Sequence, residues 1–545
     1  LRKSIAQLLA LSLAATVSLV AQPWQNATVE AAPTAPSAFV PVQPCRLADT
    51  RPDGGVGYTR IDILTISIAT AGRCGIPSGA TSLALTLTVT QPWGSGYLTA
   101  WPGDQSRPTV SNLNYQFNQT RANGAITKVD ASGTLRVFTS IPAFVVVDVV
   151  GAFVTSGSTA SSGRFVPTAS VRLYDSRPNN IVVPGGSVTI PLPAGTPSDA
   201  VAVALNITVT QSTAPGFVTA YPAGRARPVA SVLNLDSYQQ TRAAGGIFPV
   251  SAGGVALFLS GGGHVVVDFS GYFTGASSGA GSDGLFTAFD PTRLMDTRTS
   301  SPLGVGVPIF PQGGVELAAT RAGAGSIAYN VTSTEGDLGF IRGYAAGTAQ
   351  PATSTLNPLG QGDVVANFAI TQVSNRGLDF WSQPQTHLVV DLEGWFSGTP
   401  VAGSLPAPTN TPPATPRVTY SPCTHDGLDR INAERRRVGV SPIAVNPAGE
   451  AFACAWALHL AQLGAGISHS DSPTRDAAVG CPTGENVAFS TGTSTTRLMD
   501  LWFASPPHYA NIIYATYLSA GIGYVTRTDA TGATRTYGST TFALC

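Results

Sequence analysis

The stretch VVVDVVGAF at residues 145–153 decides how most of this chain is read. It returns as VVVDFSGYF at 265–273 and as LVVDLEGWF at 388–396. Upstream of each copy lies a second marker: CRLADTRP from Cys45, VRLYDSRP from Val171 and TRLMDTRT from Thr292. Between the two fall GYLTAWPGD, GFVTAYPAG and GFIRGYAAG, then SNLNY, SVLNL and STLNP. Asp148 recurs as Asp268 after 120 residues and as Asp391 after 123 more. Several markers in one order at one spacing mean a tandem repeat.

Within a unit, apolar and polar residues alternate in short runs, as in Leu85-Thr-Leu-Thr-Val-Thr90. Such a run packs on one face and meets water on the other. Val145 to Val147 is β-branched throughout and reads as a more buried strand. Each unit holds about seven or eight runs separated by Gly, Pro, Asn and Ser, the pattern of an all-β sandwich or barrel. A unit of this length is a domain with its own core, not a rung of a solenoid. The expected units are 38–156, 162–276 and 284–396. Asp49, Asp175 and Asp296, each two residues before an Arg, are read as turn and pairing residues. His264 and His387 occupy matching places, but Phe144 takes that place in the first unit, so they are not read as ligands. Trp101, Tyr221 and Tyr344 head the same turn and are candidates for stacking on a glycan.

The chain has 545 residues, 43% hydrophobic and 11% charged, with formal net charge +0. A neutral, lightly charged chain argues against nucleic acid or an anionic membrane as main partner, since both need a basic patch. Arg2, Lys3 and the apolar run Ile5–Ala21, followed by Val29-Glu30-Ala31, read as a cleavable export signal over 1–31. No later segment approaches a membrane span, and the mature protein is expected to be secreted, with envelope association a further option. Nothing in the sequence speaks to oligomeric state. Six cysteines in an exported chain imply disulfides. The expected bridges are Cys45–Cys74, Cys454–Cys481 and Cys423–Cys545, the last tying the ends of one domain. Residues 397–421, rich in Pro, Thr, Ala and Ser, read as a semi-rigid linker.

Residues 422–545 change character. Leu428, Ile431 and Val438 fall at helical spacing, with Asp426 as expected N-cap. A second helix is expected from Pro447 to Leu463, capped by Asn446 and stopped by Gly464, with Phe452, Trp456, Leu460 and Leu463 on its buried face. A third runs from Thr495 to Phe503. Strands are expected at Val487–Phe489, Gly523–Arg527 and Thr536–Leu544, making the domain α+β.

The strings INAERRRVGVSPIAVNPAGEAFACAWALHLA, SHS at Ser468, GENVA at Gly484, LWFASPPHYANII at Leu501 and AGIGYV at Ala520 stand in a characteristic order. In that order they resemble bacterial members of the CAP family (cysteine-rich secretory proteins, antigen 5, pathogenesis-related proteins). The β units resemble domains common in secreted actinobacterial proteins. The CAP resemblance implies an α-β-α sandwich with a cleft holding two His and two acidic residues. His469, Glu485 and His508 match three of those places; the fourth falls on Ser505, and Pro507 replaces the usual Gly. Two imidazoles and a carboxylate can hold Zn²⁺ or another divalent metal, with Glu485 as third ligand, orienting group or base. The set Ser505, His508 and Glu485 has the types for acyl transfer but no nucleophile elbow. The resemblance therefore implies a non-enzymatic extracellular binding protein for a lipid, peptide or envelope glycan; the alternatives are a metal-assisted hydrolase and a surface-display scaffold.

Overall fold

The computed structural model describes residues 35–300, 304–360, 362–412, 418–464, 466–529 and 532–545. The expected leader, 1–31, lies outside the described residues. The strand Phe144–Thr155 runs between Ser37–Asp49 and Ala80–Thr90, with Arg121–Lys128 beyond the latter. His264–Phe273 and His387–Ser397 hold the same central place in four antiparallel strands of their own units. A second sheet covers one face of each, as in Gly186–Ile190, Val255–Leu259, Gly216–Pro222 and Leu233–Leu235 of the middle unit. Each unit is thus a two-sheet sandwich with its own core, built in the first from side chains such as Leu85, Leu87, Val89 and Val147.

A fourth apolar core lies where the three central sheets meet. The repeated marker explains it. One extra residue bulges out after the aspartate, at Val150, Ser270 and Glu393. The bulge turns the following Phe153, Phe273 and Phe396 away from their own sandwiches. The glycine between leaves room for a ring: a Cβ on Gly151, Gly271 or Gly394 would strike Phe39, Phe165 or Phe286. These six rings close a circuit with centroids 5.3 Å (Phe39–Phe153), 4.4 Å (Phe153–Phe286), 4.8 Å (Phe286–Phe396), 4.8 Å (Phe396–Phe165), 5.1 Å (Phe165–Phe273) and 4.7 Å (Phe273–Phe39). The units are therefore three cores fused around a shared one. Ser37 pairs with Phe286, joining the first and third sheets into one of eight strands.

Polar groups seal the same seam. Asn123 donates to Asn330 (2.9 Å) and Asn367 to Asn206 (2.9 Å) across units. Arg121 of the first unit and Arg242 of the second both pair with Asp363 of the third. Glu393 accepts from the Ile126 amide (2.7 Å) and the Asn112 side chain (3.2 Å), and burial pushes its carboxyl up to about 8. The RLxDTR aspartates do what the sequence assigned them: Asp49 accepts the Arg51 amide (3.1 Å) and pairs with Arg51 and Arg46, and Arg46 also holds Asp148. Trp101 is 4% exposed with its indole on the Gln105 carbonyl, so burial removes it as a stacking platform.

The linker reading needs revision over its first half. Asn375 donates to Val401 O, Gly314 to Thr409 O, and Asn410 receives the Phe310 amide, so this stretch is hydrogen-bonded to the third unit. Proline-rich chain lacks donors but keeps its carbonyls, which an adjacent backbone can use.

In the last domain, α1 (Leu428–Arg437), α2 (Pro447–Leu463), α3 (Ser472–Val479), α4 (Thr495–Ala504) and α5 (Pro506–Ile512) surround an antiparallel sheet of Ser519–Thr528, Thr534–Ala543 and Thr483–Thr491. Val487, Val525 and Tyr537 face α2, while Ala488, Tyr524 and Phe542 face Ile431 of α1 and Leu498, Met499 and Trp502 of α4. Helices on both faces make an α-β-α sandwich. The α2 caps, Asn446 and Gly464, are as expected. Its buried face is only partly so: Leu460 is buried as expected, but its companions are Ala453, Ala457 and Ala461, while Phe452, Trp456 and Leu463 are half exposed. Gly521 and Gly523 of the sheet let the α2 backbone approach so closely that only small residues fit. Asp426 does not cap α1; Gly427 does, in a left-handed conformation, and Asp426 accepts from Thr495 instead. Arg435 is fully buried and donates to the carbonyls of Ser441, Ile512, Tyr514 and Tyr517, pinning α1 to the loop after α5.

The bridge Cys45–Cys74 is present. The other two expected bridges are corrected: Cys423 pairs with Cys454, and Cys481 with Cys545, in place of Cys454–Cys481 and Cys423–Cys545. The sheet registers Gly484 with Phe542, which brings Cys481 beside the C-terminus, while Cys423 lies against α2. Non-reducing peptide mapping checks this pairing and should recover Cys423–Cys454 and Cys481–Cys545 peptides.

Phe396→Ala should destabilise the β region by about 3–5 kcal/mol in chemical denaturation, with all three units still unfolding in one transition. Glu393 gives a pH signature. Its folded value lies above the ordinary 4.3 or so, so its contribution is complete below that value and is lost as pH rises through about 8. Denaturation midpoints of the β region should fall over that window, and less steeply in Glu393→Ala.

Candidate functional site

The cleft is organised from the strand Thr483–Thr491, where two adjacent residues hold the two histidine segments. Glu485 is 5% exposed. Its carboxylate accepts the Ser470 amide (2.8 Å), the Ser470 hydroxyl (2.7 Å) and the Ser539 hydroxyl (3.4 Å), and faces Nδ1 of His469 at 3.0 Å. Asn486 donates to the backbone carbonyl of His508 (2.9 Å) and receives Asn511 (2.9 Å), so it fixes the start of α5. One strand thus positions His469 through a side chain and His508 through its main chain.

Arg475 completes the buried set. It lies on α3, which Asp471 caps by accepting the Thr474 amide (3.0 Å). Its guanidinium reaches the Ser470 hydroxyl (2.7 Å), Thr483 (2.7 Å) and, at 3.5 Å, the Glu485 carboxylate. The negative charge on Glu485 is therefore compensated from within the protein.

His469 is 56% exposed in its side chain and His508 is half-buried. Their ring centroids lie 6.3 Å apart at 51°. Burial and the neighbouring His469 hold the His508 imidazole below its ordinary value, so it stays neutral to lower pH. Ser505 ends α4 and opens α5 without a side-chain capping hydrogen bond.

The geometry sorts the three roles left open for Glu485. A tetrahedral cation held by two imidazole nitrogens at about 2.0–2.1 Å sets their ring centroids roughly 5 Å apart. At 6.3 Å the two rings would have to close by about 1 Å on such an ion. His469, Glu485 and His508 do not gather their ligand atoms within 4.8 Å of one another, so the three are not a ready three-ligand set. Both Glu485 oxygens are engaged inside the protein. What fits is an orienting role: it receives Nδ1–H of His469 and leaves Nε2 for a ligand. Another group, Cys423, His425 and Cys454, also lies within metal-ligand reach, but its two sulfurs form a disulfide.

The sequence reading missed Ser470, Arg475, Asn486 and Asn511. The Asn of GENVA adjoins Glu485, and Asp471 followed by Ser-Pro is a readable helix start that places Arg475 one turn in. Replacing Arg475 by Ala strands a buried carboxylate and should cost about 3–5 kcal/mol in denaturation of the last domain. Ala at exposed Arg436 should cost within about 0.5 kcal/mol.

A search of curated proteins gave no match. Fifteen chains of solved structures align with this one, among them two from viruses. That of Sulfolobus turreted icosahedral virus is 9% identical over 66% of this chain and 92% of that one, with a TM-score of 0.14. The other, described as a triple jelly roll fold and turret assembly in an archaeal virus, is 8% identical over 65% of this chain and 91% of that one, also with a TM-score of 0.14. A TM-score of 0.14 is too low to indicate a shared fold. The model of the cysteine-rich secretory protein family, CAP, matches residues 428–544. With the sandwich and the motif order already described, this match makes the C-terminal part of the chain a CAP domain, carried behind a β-rich region.

Proposed function

We propose that this chain is an extracellular binding protein whose CAP domain presents the His469–His508 cleft to a divalent cation and an external ligand, and that it is not a hydrolase. The observation that carries this reading is the state of Glu485: buried, hydrogen-bonded through both oxygens and charge-compensated by Arg475. A hydrolytic cleft needs a carboxylate free to take a proton from water. This one is committed to holding loops. Ser505 stands at the junction of α4 and α5, where the first helical positions of α5 are prolines without amide donors.

His469 and His508 would hold the cation, with water in the remaining positions. The metal would supply a Lewis-acidic centre to which a ligand oxygen can bind. Two protein ligands make a weak site, suited to reversible binding. Three disulfides and a CAP domain are consistent with an oxidising, extracellular setting. Lipid, peptide and envelope glycan remain the ligand classes, and the β body would display the domain at the surface.

Calorimetric titration of Zn²⁺ into the full chain tests this. One site should be seen, lost in His469→Ala and in His508→Ala, and weakened about tenfold or more in Glu485→Gln. Unchanged binding in both histidine variants, or metal-dependent turnover of ester or peptide substrates lost in them, would overturn the proposal.

A further inference from the structure

The second cluster of ligand atoms lies away from the cleft, where the domain begins. Cys423 follows the short strand Thr419–Tyr420, Cys454 sits on α2, and His425 is exposed beside them. Among the described residues, this is a set of His and Cys ligand atoms all within 4.8 Å of one another. We propose that reducing the Cys423–Cys454 bridge opens a divalent-metal site with Cys423, Cys454 and His425 as ligands and water completing it.

The imidazole is already set up for this. Nδ1 of His425 lies 2.9 Å from the Ile522 carbonyl, a contact it can make only as donor. That fixes the tautomer and leaves the Nε2 lone pair free, the arrangement typical of a ligating histidine. Nε2 stands 3.8 Å from Cys454 Sγ. In a tetrahedral zinc site, bonds of about 2.3 Å to sulfur and 2.0 Å to nitrogen place S and N about 3.6 Å apart, and two sulfurs about 3.8 Å apart. Cys454 Sγ lies almost equally far from Nδ1, 3.7 Å, and Nε2, so the S···N spacing is near its final value but the ring must turn its Nε2 lone pair toward the sulfurs as they separate.

The scaffold does not need the bridge to hold these groups. Thr424 and Tyr524 exchange backbone hydrogen bonds (3.1 and 2.9 Å), fixing the chain between Cys423 and His425. The helix carrying Cys454 lies directly on Gly523. Neither side of the site is free to drift far when the sulfurs part.

The chemistry balances with a dithiol reductant. One of its thiolates attacks a bridge sulfur and the second closes the reductant's own disulfide. Two electrons and two protons pass to the protein, the S–S bond breaks, and Cys423 and Cys454 become thiols. The entering dication displaces both thiol protons, and the two thiolates neutralise its charge. The site is thus closed to metal under oxidising conditions and open under reducing ones.

Titration of Co²⁺ into the full chain with and without prior reduction by a dithiol tests this, using thiolate-to-cobalt absorption as readout. The reduced protein should give a tetrahedral cobalt spectrum at one equivalent, and the oxidised protein none. The spectrum should vanish in Cys423→Ser with Cys454→Ser, and affinity should fall about tenfold or more in His425→Ala. It should survive in Cys481→Ser with Cys545→Ser, and in His469→Ala with His508→Ala, so its failure is separable from failure of the cleft. No spectrum in folded reduced protein, no effect of His425→Ala, or loss in the Cys481/Cys545 variant instead would overturn the proposal.

Discussion

Everything the C-terminal cleft can do depends on one buried carboxylate. Glu485 is the point at which the SHS segment, α3 and the sheet are tied together, through Ser470, Arg475, Ser539 and His469. A buried charge is tolerated only when paired and hydrogen-bonded. Meeting that requirement engages both oxygens inside the protein, which is the basis of the proposed binding role. Its neighbour Asn486 extends the same strand's hold to His508 by grasping a backbone carbonyl, leaving that ring free.

The β region solves a different problem with the same economy. Three sandwiches could fill their own interiors and remain separate beads. They do not, because each copy of the marker contributes a bulge, a glycine and a phenylalanine that point outward. Glycine clears the space, and a ring from the unit's first strand fills it. The polar seam then diverges between copies. Arg121 and Arg242 would repel a third arginine at the junction; the third unit carries Val365 at the end of that strand and Asp363 between the two guanidinium groups. Sequence divergence among the repeats is what lets one chain close a threefold arrangement.

Much of this was legible in the sequence, for physical reasons that can be named. The repeat markers carried the three β units because Asp, Gly and Phe each have a fixed place in the sandwich. The α2 boundaries were legible because Asn446, Pro447 and Gly464 are local signals. The α2 face was legible only in part, since bulky Phe452 and Trp456 drew attention from an alanine stripe whose burial depends on Gly521 and Gly523, some seventy residues on. Cysteine pairing was not legible either: three pairings are open to four cysteines, and sheet register selects among them. His469, Glu485 and His508 could be named by motif, but Arg475 and Asn486, which determine what Glu485 is able to do, act through contacts that spacing alone does not disclose.

The most direct test of the central claim is a crystal structure of the full chain soaked with Zn²⁺, with anomalous scattering used to place the ion. The account predicts one cleft peak bonded to the imidazoles of His469 and His508, with Glu485 still on Ser470 and Arg475. A Glu485 carboxylate swung out to bind the ion, or a cleft without a peak beside either ring, would contradict it.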